Sequence, residues 1–178
     1  MERYRVVFSG SGGQGVITAS IILAEAAVLY EGLNAVQSQS YGPEARGGAT
    51  RSDVIVSDRD IRFPKVNQPN VLICLTQEAY NKFSNTIRPG GLLLTDSHFV
   101  KPATKVDARQ VEIGMYKGVM DQIGKPVVFN LCVLGAMLGL VPIVKKESIV
   151  KVIETKIPAG FLEMNEKALE LGFHLAGA

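Results

Sequence analysis

Cysteine is scarce in this sequence, with two residues among 178: Cys74 in "VLICL" and Cys132 in "FNLCVL". Both lie inside apolar runs, where a free thiol behaves as a small hydrophobe, so neither reads as a metal ligand. Histidine is equally sparse, at His98 and His174. An excess of one charge is also missing: 19 basic residues face 17 acidic ones for a formal net charge of +2, and no basic block marks a nucleic-acid footprint. Nucleic acid is therefore not an expected partner. Long apolar runs are lacking too. The N-terminal "MERYRVVFSGSGG" has too short an apolar stretch for a signal segment, and its glycines would break one. The most apolar window, residues 127–144, contains Asn130, Gly135, Gly139 and Pro142, which suits a buried core helix better than a membrane span. The expectation is a cytoplasmic chain with no membrane contact.

What is present is a core-forming composition, 47% hydrophobic, enough for one domain over residues 1–178. Short runs rich in Val, Ile and Leu recur at 5–8, 35–38, 52–57, 71–75 and 92–95, separated by helical or turn segments. Runs such as "VLICL" and "GLLLT" are apolar on both faces, as strands covered by helices above and below would be. "TRSDVIVS" alternates more and fits an edge or antiparallel strand. In "VITASIILAEAAVLY", Ile17, Ile21, Ala24 and Val28 share one helical face, and Gly32 offers the stop. Thr76 is placed to cap a second helix, "TQEAYNKFSNTI". Beyond Pro102, "VEIGMYKGVMDQIG" has a weak pattern, and helices are expected over 130–141, 145–155 and 161–175. Leu162, Leu169 and Phe173 form a stripe on the last of these, suited to covering this domain or docking on a partner. The fold class is α/β: three layers, α/β/α, a mostly parallel Rossmann-like sheet and a helical C-terminal third.

Between the first strand and the first helix stands "FSGSGGQGV", with glycines at the spacing G-x-G-x-x-G. Glycines here allow a tight turn and close backbone approach, and the helix they open offers free N–H groups and a dipole that attract an anion such as phosphate. Gly10, Gly12, Gly13, Gln14 and Gly15 are the candidate residues. A dinucleotide site would also place an acid about 20 residues on, at the end of the second strand. Gln37 or Gln39 stands there instead, and Glu31 precedes the strand. Three readings stay open on these residues alone: an NAD-dependent oxidoreductase, a non-catalytic nucleotide-binding module, and a tight crossover with no ligand.

A second constellation follows the second strand, "QSQSYGPEARGGATRSDVIVS". Glycine pairs bracket Glu44 and Arg46 on a loop that a doubly wound sheet would place at its carboxyl edge, near the first loop. Tyr41, Gly42, Glu44 and Arg46 are the candidates for a site or an interface. The plainer reading is a local Glu44–Arg46 pair on a surface turn. A guanidinium suits phosphate or carboxylate through paired hydrogen bonds, which puts Arg46 first among them. Arg51 and Arg62 read as solvated charges. Asn130 reads chiefly as a helix cap, and Gly135 and Gly139 as small residues for packing against the sheet. His98 with Asp96 lacks a nucleophile.

Together, "GSGGQGV", "QSQSYGPEARGG" and "RSDVIVSD" resemble the gamma subunit of 2-oxoacid:ferredoxin oxidoreductases, particularly the 2-oxoglutarate synthase branch, along essentially the whole chain. Branched-chain 2-oxoacids are the next substrate class that the resemblance suggests. It implies oxidative decarboxylation of the oxoacid to an acyl-CoA with ferredoxin reduction, shared among alpha, beta and, where present, delta subunits. Thiamine diphosphate, Mg²⁺ and [4Fe–4S] clusters would belong to those partners, since a cluster needs four thiolates. The glycine loop would then help hold coenzyme A or shape the catalytic pocket, and the isolated chain would be inactive.

Overall fold

Short apolar strands and longer helices alternate in the computed structural model, which describes residues 3–40, 48–103 and 105–178. Strand β1 (Tyr4–Gly10) runs through the glycine loop into helix α1 (Val16–Tyr30), followed by β2 (Asn34–Gln39), β3 (Thr50–Ser57) and β4 (Val71–Cys74). Then come α2 (Gln77–Phe83), β5 (Gly91–Asp96) and β6 (Ala108–Ile113), and finally α3 (Met115–Gln122), α4 (Phe129–Leu140), α5 (Lys146–Lys156) and α6 (Ala159–Leu175).

The strands form one sheet in the order β2-β3-β1-β4-β5-β6. Pairs β1–β4, β4–β5 and β5–β6 are parallel, whereas β3 is antiparallel to both β1 and β2. The sheet is thus mostly parallel in direction, with β3 reversed inside it. Strand β6 was not anticipated: its sequence, "ARQVEI", leaves Arg109, Gln110 and Glu112 exposed at the sheet edge, so no apolar run announces it.

Alternation along the strands sends successive side chains to opposite faces. Val6, Phe8, Ile73 and Leu94 face the larger core, which α1, α3, α4, α5 and α6 complete. Val7, Ile55, Leu72 and Leu93 face a smaller one, closed by Ala79, Tyr80 and Phe83 of α2. The three layers are therefore unequal. Thr76 caps α2 as expected, its hydroxyl accepting from the Ala79 N–H at 3.1 Å.

Two helix-face expectations need correction. Helix α1 buries Val16, Ala19, Leu23, Ala26 and Ala27, while Ile17, Ile21 and Ala24 are half-buried and Val28 is 48% exposed. The helix is apolar nearly all round, so periodicity alone could not select the inward face. Gly135 and Gly139 pack against α6 and the residues that follow it rather than against the sheet: a Cβ on Gly135 would run into the Leu169 carbonyl and one on Gly139 into the Ala176 Cβ, and from the other side a Cβ on Gly172 would run into the Cys132 carbonyl. Helix α6 thereby covers this chain's own core, with Leu169 buried. Among the described residues no helix is long and apolar enough to cross a membrane.

Candidate functional site

The chain turns from β1 into α1 at the carboxyl edge of the sheet. Gly15 precedes α1 with φ 72° and Gly13 has φ 92°, left-handed values that favour glycine. The first bond of the helix runs from the Ala19 N–H to the Gly15 carbonyl at 3.0 Å, so the N–H groups of residues 16–18 have no partner within the helix. The first turn carries no acidic residue. A Cβ on Gly12 or Gly13 would meet nothing within 4 Å, so this part of the backbone is open to a visitor.

Gln14 braces the loop through both ends of its amide. Its Oε1 accepts from the Ser11 N–H at 2.8 Å, and its Nε2 donates to the Leu75 carbonyl at 3.0 Å. The Leu75 N–H in turn donates to the Ser9 carbonyl at 2.9 Å. Gln14 thus stitches the loop to the end of β4, holding the N–H groups in place with its own amide already engaged. A Cβ on Gly10 would collide with the Gln14 Oε1, which accounts for the first glycine.

Beside the loop lies a cavity of about 590 Å³ where the starts of α1, α4 and α6 converge, lined by Gly13, Gly15, Thr18, Asn130 and Asn165 with apolar neighbours such as Met164. No charged side chain is among its described lining residues. Asn130, only 7% exposed, uses its Oδ1 to accept from the Leu131 N–H at 3.0 Å. Its Nδ2 is the atom nearest to where a Gly15 side chain would start, at 2.7 Å. Asn165, 8% exposed, donates through Nδ2 to the Phe161 carbonyl at 2.8 Å. One amide keeps a donor and the other an acceptor without a protein partner among the described residues, in the same uncharged space. Val127 (73% exposed) and Phe161 (57% exposed) are solvent-facing apolar members of the lining. Such a cavity suits an uncharged polar group on a ligand whose anionic part rests on the α1 N-terminus.

Asn130 is not the cap that the sequence predicts: it is the second residue of α4 and makes only that one local bond. Asn165 was missed altogether. Its signal is a polar residue interrupting the buried helical spacing between Leu162 and Leu169.

The dinucleotide reading meets an obstacle in topology. In the dinucleotide-binding sheet β2 lies beside β1, but here β3 stands between them, and the residues opposite Ser9 and Gly10 are Arg51 and Thr50. The end of β2 is two strand spacings away, about 10 Å. Gln37 is occupied there, donating to the Ser52 hydroxyl at 2.8 Å. Arg51 is not a solvated charge: its Nε and Nη2 grip Asp53 at 2.7 and 3.0 Å, Nη2 also donates to the Val66 carbonyl, and the guanidinium lies 5.3 Å from the Phe83 ring centre. It lines a groove of about 760 Å³ with Ser40, Ala49, Lys65 and Lys82. Tyr41, Gly42, Glu44 and Arg46 lie outside the described residues. Their flanks, Ser40 and Thr50, place the second loop's ends at the edge that carries Gly10.

Asp96 and His98 do not form a catalytic pair. Asp96 is fully buried and accepts from the His98 and Tyr116 backbone N–H groups, both at 2.8 Å, while the His98 ring stacks on Tyr116 with centres 4.8 Å apart. Burial pushes the Asp96 carboxyl above its ordinary range against these hydrogen bonds. The thiols fit no cluster: Cys74 and Cys132 belong to cores on opposite faces of the sheet, and burial pushes each up to about 12. Among the described residues no three His, Cys, Asp or Glu side chains gather as a metal site. The donor set here does not fit an iron–sulfur cluster, so no step is assigned to one in this chain.

Comparison with known proteins gives one consistent picture. The family described as pyruvate ferredoxin/flavodoxin oxidoreductase matches residues 5–175. The chain is 44% identical over 176 residues, covering 98% of it and 94% of the relative, to the 2-oxoglutarate synthase subunit KorC of Methanocaldococcus jannaschii. The gamma subunit of a keto/oxoacid ferredoxin oxidoreductase from Geobacter sulfurreducens is 43% identical and superposes with a TM-score of 0.88, with 97% of this chain and 98% of that one covered. The 2-oxoglutarate:ferredoxin oxidoreductase from Magnetococcus marinus, solved with 2-oxoglutarate, coenzyme A and succinyl-CoA, shares the fold at 21% identity and TM-score 0.89, with 99% of this chain matching 31% of that one.

Proposed function

This chain belongs to the pyruvate ferredoxin/flavodoxin oxidoreductase family, and we propose that within it the chain is the gamma subunit of a 2-oxoglutarate:ferredoxin oxidoreductase. The reaction is oxidative decarboxylation: the oxoacid and coenzyme A give succinyl-CoA and carbon dioxide, and two electrons pass to ferredoxin. Likeness to the KorC subunit along nearly the full length of both chains supports the choice of oxoacid. The redox and decarboxylation machinery, with thiamine diphosphate, Mg²⁺ and [4Fe–4S] clusters, belongs to alpha and beta subunits, with delta where present, and the chain works beside them in the cytoplasm.

The contribution of this chain is to bind coenzyme A at the edge facing those partners. The observation that carries the assignment is the pairing of the open Gly12–Gly13 backbone and free α1 N–H groups with the neutral Asn130–Asn165 cavity. An anionic phosphate group rests on the helix N-terminus, where the dipole and N–H groups favour it. An uncharged portion of the same molecule, carrying amide or ring donors and acceptors, fills the cavity. Gln14 holds the loop, and Gly10, Gly13 and Gly15 give it its shape. The second loop, with Tyr41, Gly42, Glu44 and Arg46, completes the same edge as a ligand or subunit contact. Residues 1–178 act as one domain in this role.

The test is 2-oxoglutarate-dependent ferredoxin reduction by the reconstituted complex. Activity requires this chain, and Asn165→Ala raises the KM for coenzyme A about tenfold, the scale of a lost hydrogen bond to a bound ligand, with the KM for 2-oxoglutarate unchanged. Full activity of the partners without this chain, or an unchanged coenzyme A KM in Asn165→Ala, refutes the assignment.

A further inference from the structure

Two serines lie fully buried beneath helix α1, in a layer otherwise built from side chains such as Phe8, Leu23 and Val54. They are Ser20 of α1 and Ser52 of β3, and their hydroxyl oxygens are 2.6 Å apart. The Ser20 hydroxyl is also 2.7 Å from the Ile17 carbonyl, and the Gln37 Nε2 of β2 is 2.8 Å from the Ser52 hydroxyl. The bonding capacity of these groups gives the line a direction. A carbonyl only accepts and an amide nitrogen only donates, while each hydroxyl has one proton to give. Ser20 therefore donates to Ile17 and accepts from Ser52, and Ser52 accepts from Gln37. The other acceptor of the Ser52 proton, the Ser38 carbonyl, is farther off at 3.4 Å. Every donor in the line points towards the first turn of α1.

The line ends in the anion cradle. The Ile17 carbonyl and the Thr18 N–H belong to one planar peptide group, and that N–H is among those at the start of α1 with no partner inside the helix. Thr18 also lines the cavity that holds Asn130, whose side chain is buried and whose Nδ2 has no partner among the described residues. An added hydrogen bond on a peptide carbonyl draws charge through the peptide plane and makes its N–H a stronger donor. In a low-dielectric interior such chains strengthen each bond by about 10–30%. Burying two hydroxyls costs desolvation that aliphatic side chains would avoid. Holding the helix down needs no such direction; strengthening an anion seat at its N-terminus does.

We propose that Gln37, Ser52 and Ser20 form a hydrogen-bond relay that positions and polarises the Ile17–Thr18 peptide, so that the Thr18 N–H binds an anionic phosphate group of the ligand more tightly. Resting on the coenzyme A reading above, this adds three positioning residues behind the cradle, none of which touches the ligand. Gln37 stands where a dinucleotide site has its acid, and it serves the phosphate from behind the helix instead of a ribose in front of it.

The experiment combines kinetics of the reconstituted complex with amide NMR spectra of the full chain. Ser20→Ala raises the KM for coenzyme A about three- to fivefold and Ser52→Ala about two- to threefold, the scale of a weakened charge-assisted bond. The double variant is no worse than Ser20→Ala, because Ser52 acts only through Ser20. The KM for 2-oxoglutarate holds in all three. Without any ligand, the Thr18 amide proton moves upfield in both single variants, by more than the Val16 amide proton. Alanine suits a helix interior, urea unfolding verifies that Ser20→Ala is folded, and Ser52→Ala carries the same test from a strand. An unmoved Thr18 resonance, additive effects in the double variant, or equal rises in both KM values overturns the relay. So does an unchanged coenzyme A KM in Ser20→Ala beside a raised one in Asn165→Ala, which leaves the coenzyme A reading standing. An unchanged coenzyme A KM in both Ser20→Ala and Asn165→Ala overturns the relay and that reading together.

Discussion

Gly15→Ala separates a glycine that a loop merely prefers from one on which the site is built. Two terms oppose the alanine. At φ 72° its Cβ crowds the backbone, a cost of about 1–2 kcal/mol. The same Cβ would sit 2.7–2.8 Å from the Nδ2, Cβ and Cγ of Asn130, which is only 7% exposed and has little room to retreat. Overpacking of this kind adds about 1–3 kcal/mol. The sum is about 2–5 kcal/mol, and two neighbouring glycines serve as internal standards. Gly13→Ala has the left-handed term, at φ 92°, but open space around its Cβ, so about 1–2 kcal/mol is expected. Gly12→Ala has neither term and stays within about 0.5 kcal/mol of wild type. Urea unfolding at matched slopes measures all three. In an Asn130→Gly background all three crowding atoms are gone, so Gly15→Ala drops to the cost of Gly13→Ala, and the cycle returns a coupling of about 1–3 kcal/mol. If Gly15→Ala is no worse than Gly13→Ala, or costs the same with and without the Asn130 amide, the loop is not locked onto α4 and the account of the cavity fails.

Four further outcomes follow from particular contacts. Glu31 at the end of α1 accepts from the Lys145 N–H at 2.9 Å and the Ser148 hydroxyl at 2.5 Å, capping α5 from another helix. Partial burial raises its carboxyl, but these bonds and the Lys145 and Lys151 charges outweigh it and hold the carboxyl below its ordinary value of 4.5; its stabilisation is present above that value and lost as pH falls through the lowered one. Glu31→Ala therefore costs about 1 kcal/mol near neutral pH, and unfolding curves at stepwise lower pH show the gap closing below 4.5. Gln14→Glu places an oxygen against the Leu75 carbonyl, so it destabilises more than Gln14→Ala, itself about 1–3 kcal/mol, and thermal melts show its excess shrinking in acid as the carboxyl regains a proton. Neither thiol is alkylated by iodoacetamide in the native state at pH 8, and mass spectrometry finds both modified once urea is added, since burial pushes each thiol up to about 12. Arg46→Ala raises the coenzyme A KM or weakens assembly of the complex; kinetics and native mass spectrometry with both unchanged remove the second loop from the site.

Most of the fold was legible because its strands are covered on both faces. Runs such as Val71–Cys74 carry no polar residue, and few environments other than a sheet beneath helices tolerate that. The illegible parts are where one of the usual contrasts is missing. Strand β6 is an edge strand with Arg109, Gln110 and Glu112 exposed, so it has too little apolar content to stand out. Helix α1 has the opposite fault: apolar almost throughout, it gives periodicity nothing to select. The partner of Gly135 could not be read because a small residue announces a close approach without naming what approaches, and the neighbour here is the α6 backbone.

At the candidate site the glycines were legible as a turn that opens a helix, and their meaning turned on topology. The fingerprint that suggests a dinucleotide assumes that the second strand lies beside the first, so that an acid at its tip meets the ribose. Reversed β3 occupies that place and sets Thr50 and Arg51 opposite Gly10 and Ser9. Arg51 is committed to Asp53, so the vacated role passes neither to an acid nor to a free cation. In the proposed site, recognition beside the phosphate comes instead from the other flank of α1, where Asn130 and Asn165 each keep half an amide without a partner among the described residues. Those two asparagines lie 35 positions apart on two helices that pack together along a face including Gly135 and Gly172. No local spacing could join them, and the substitution that tests them, Asn165→Ala, was not suggested by any motif.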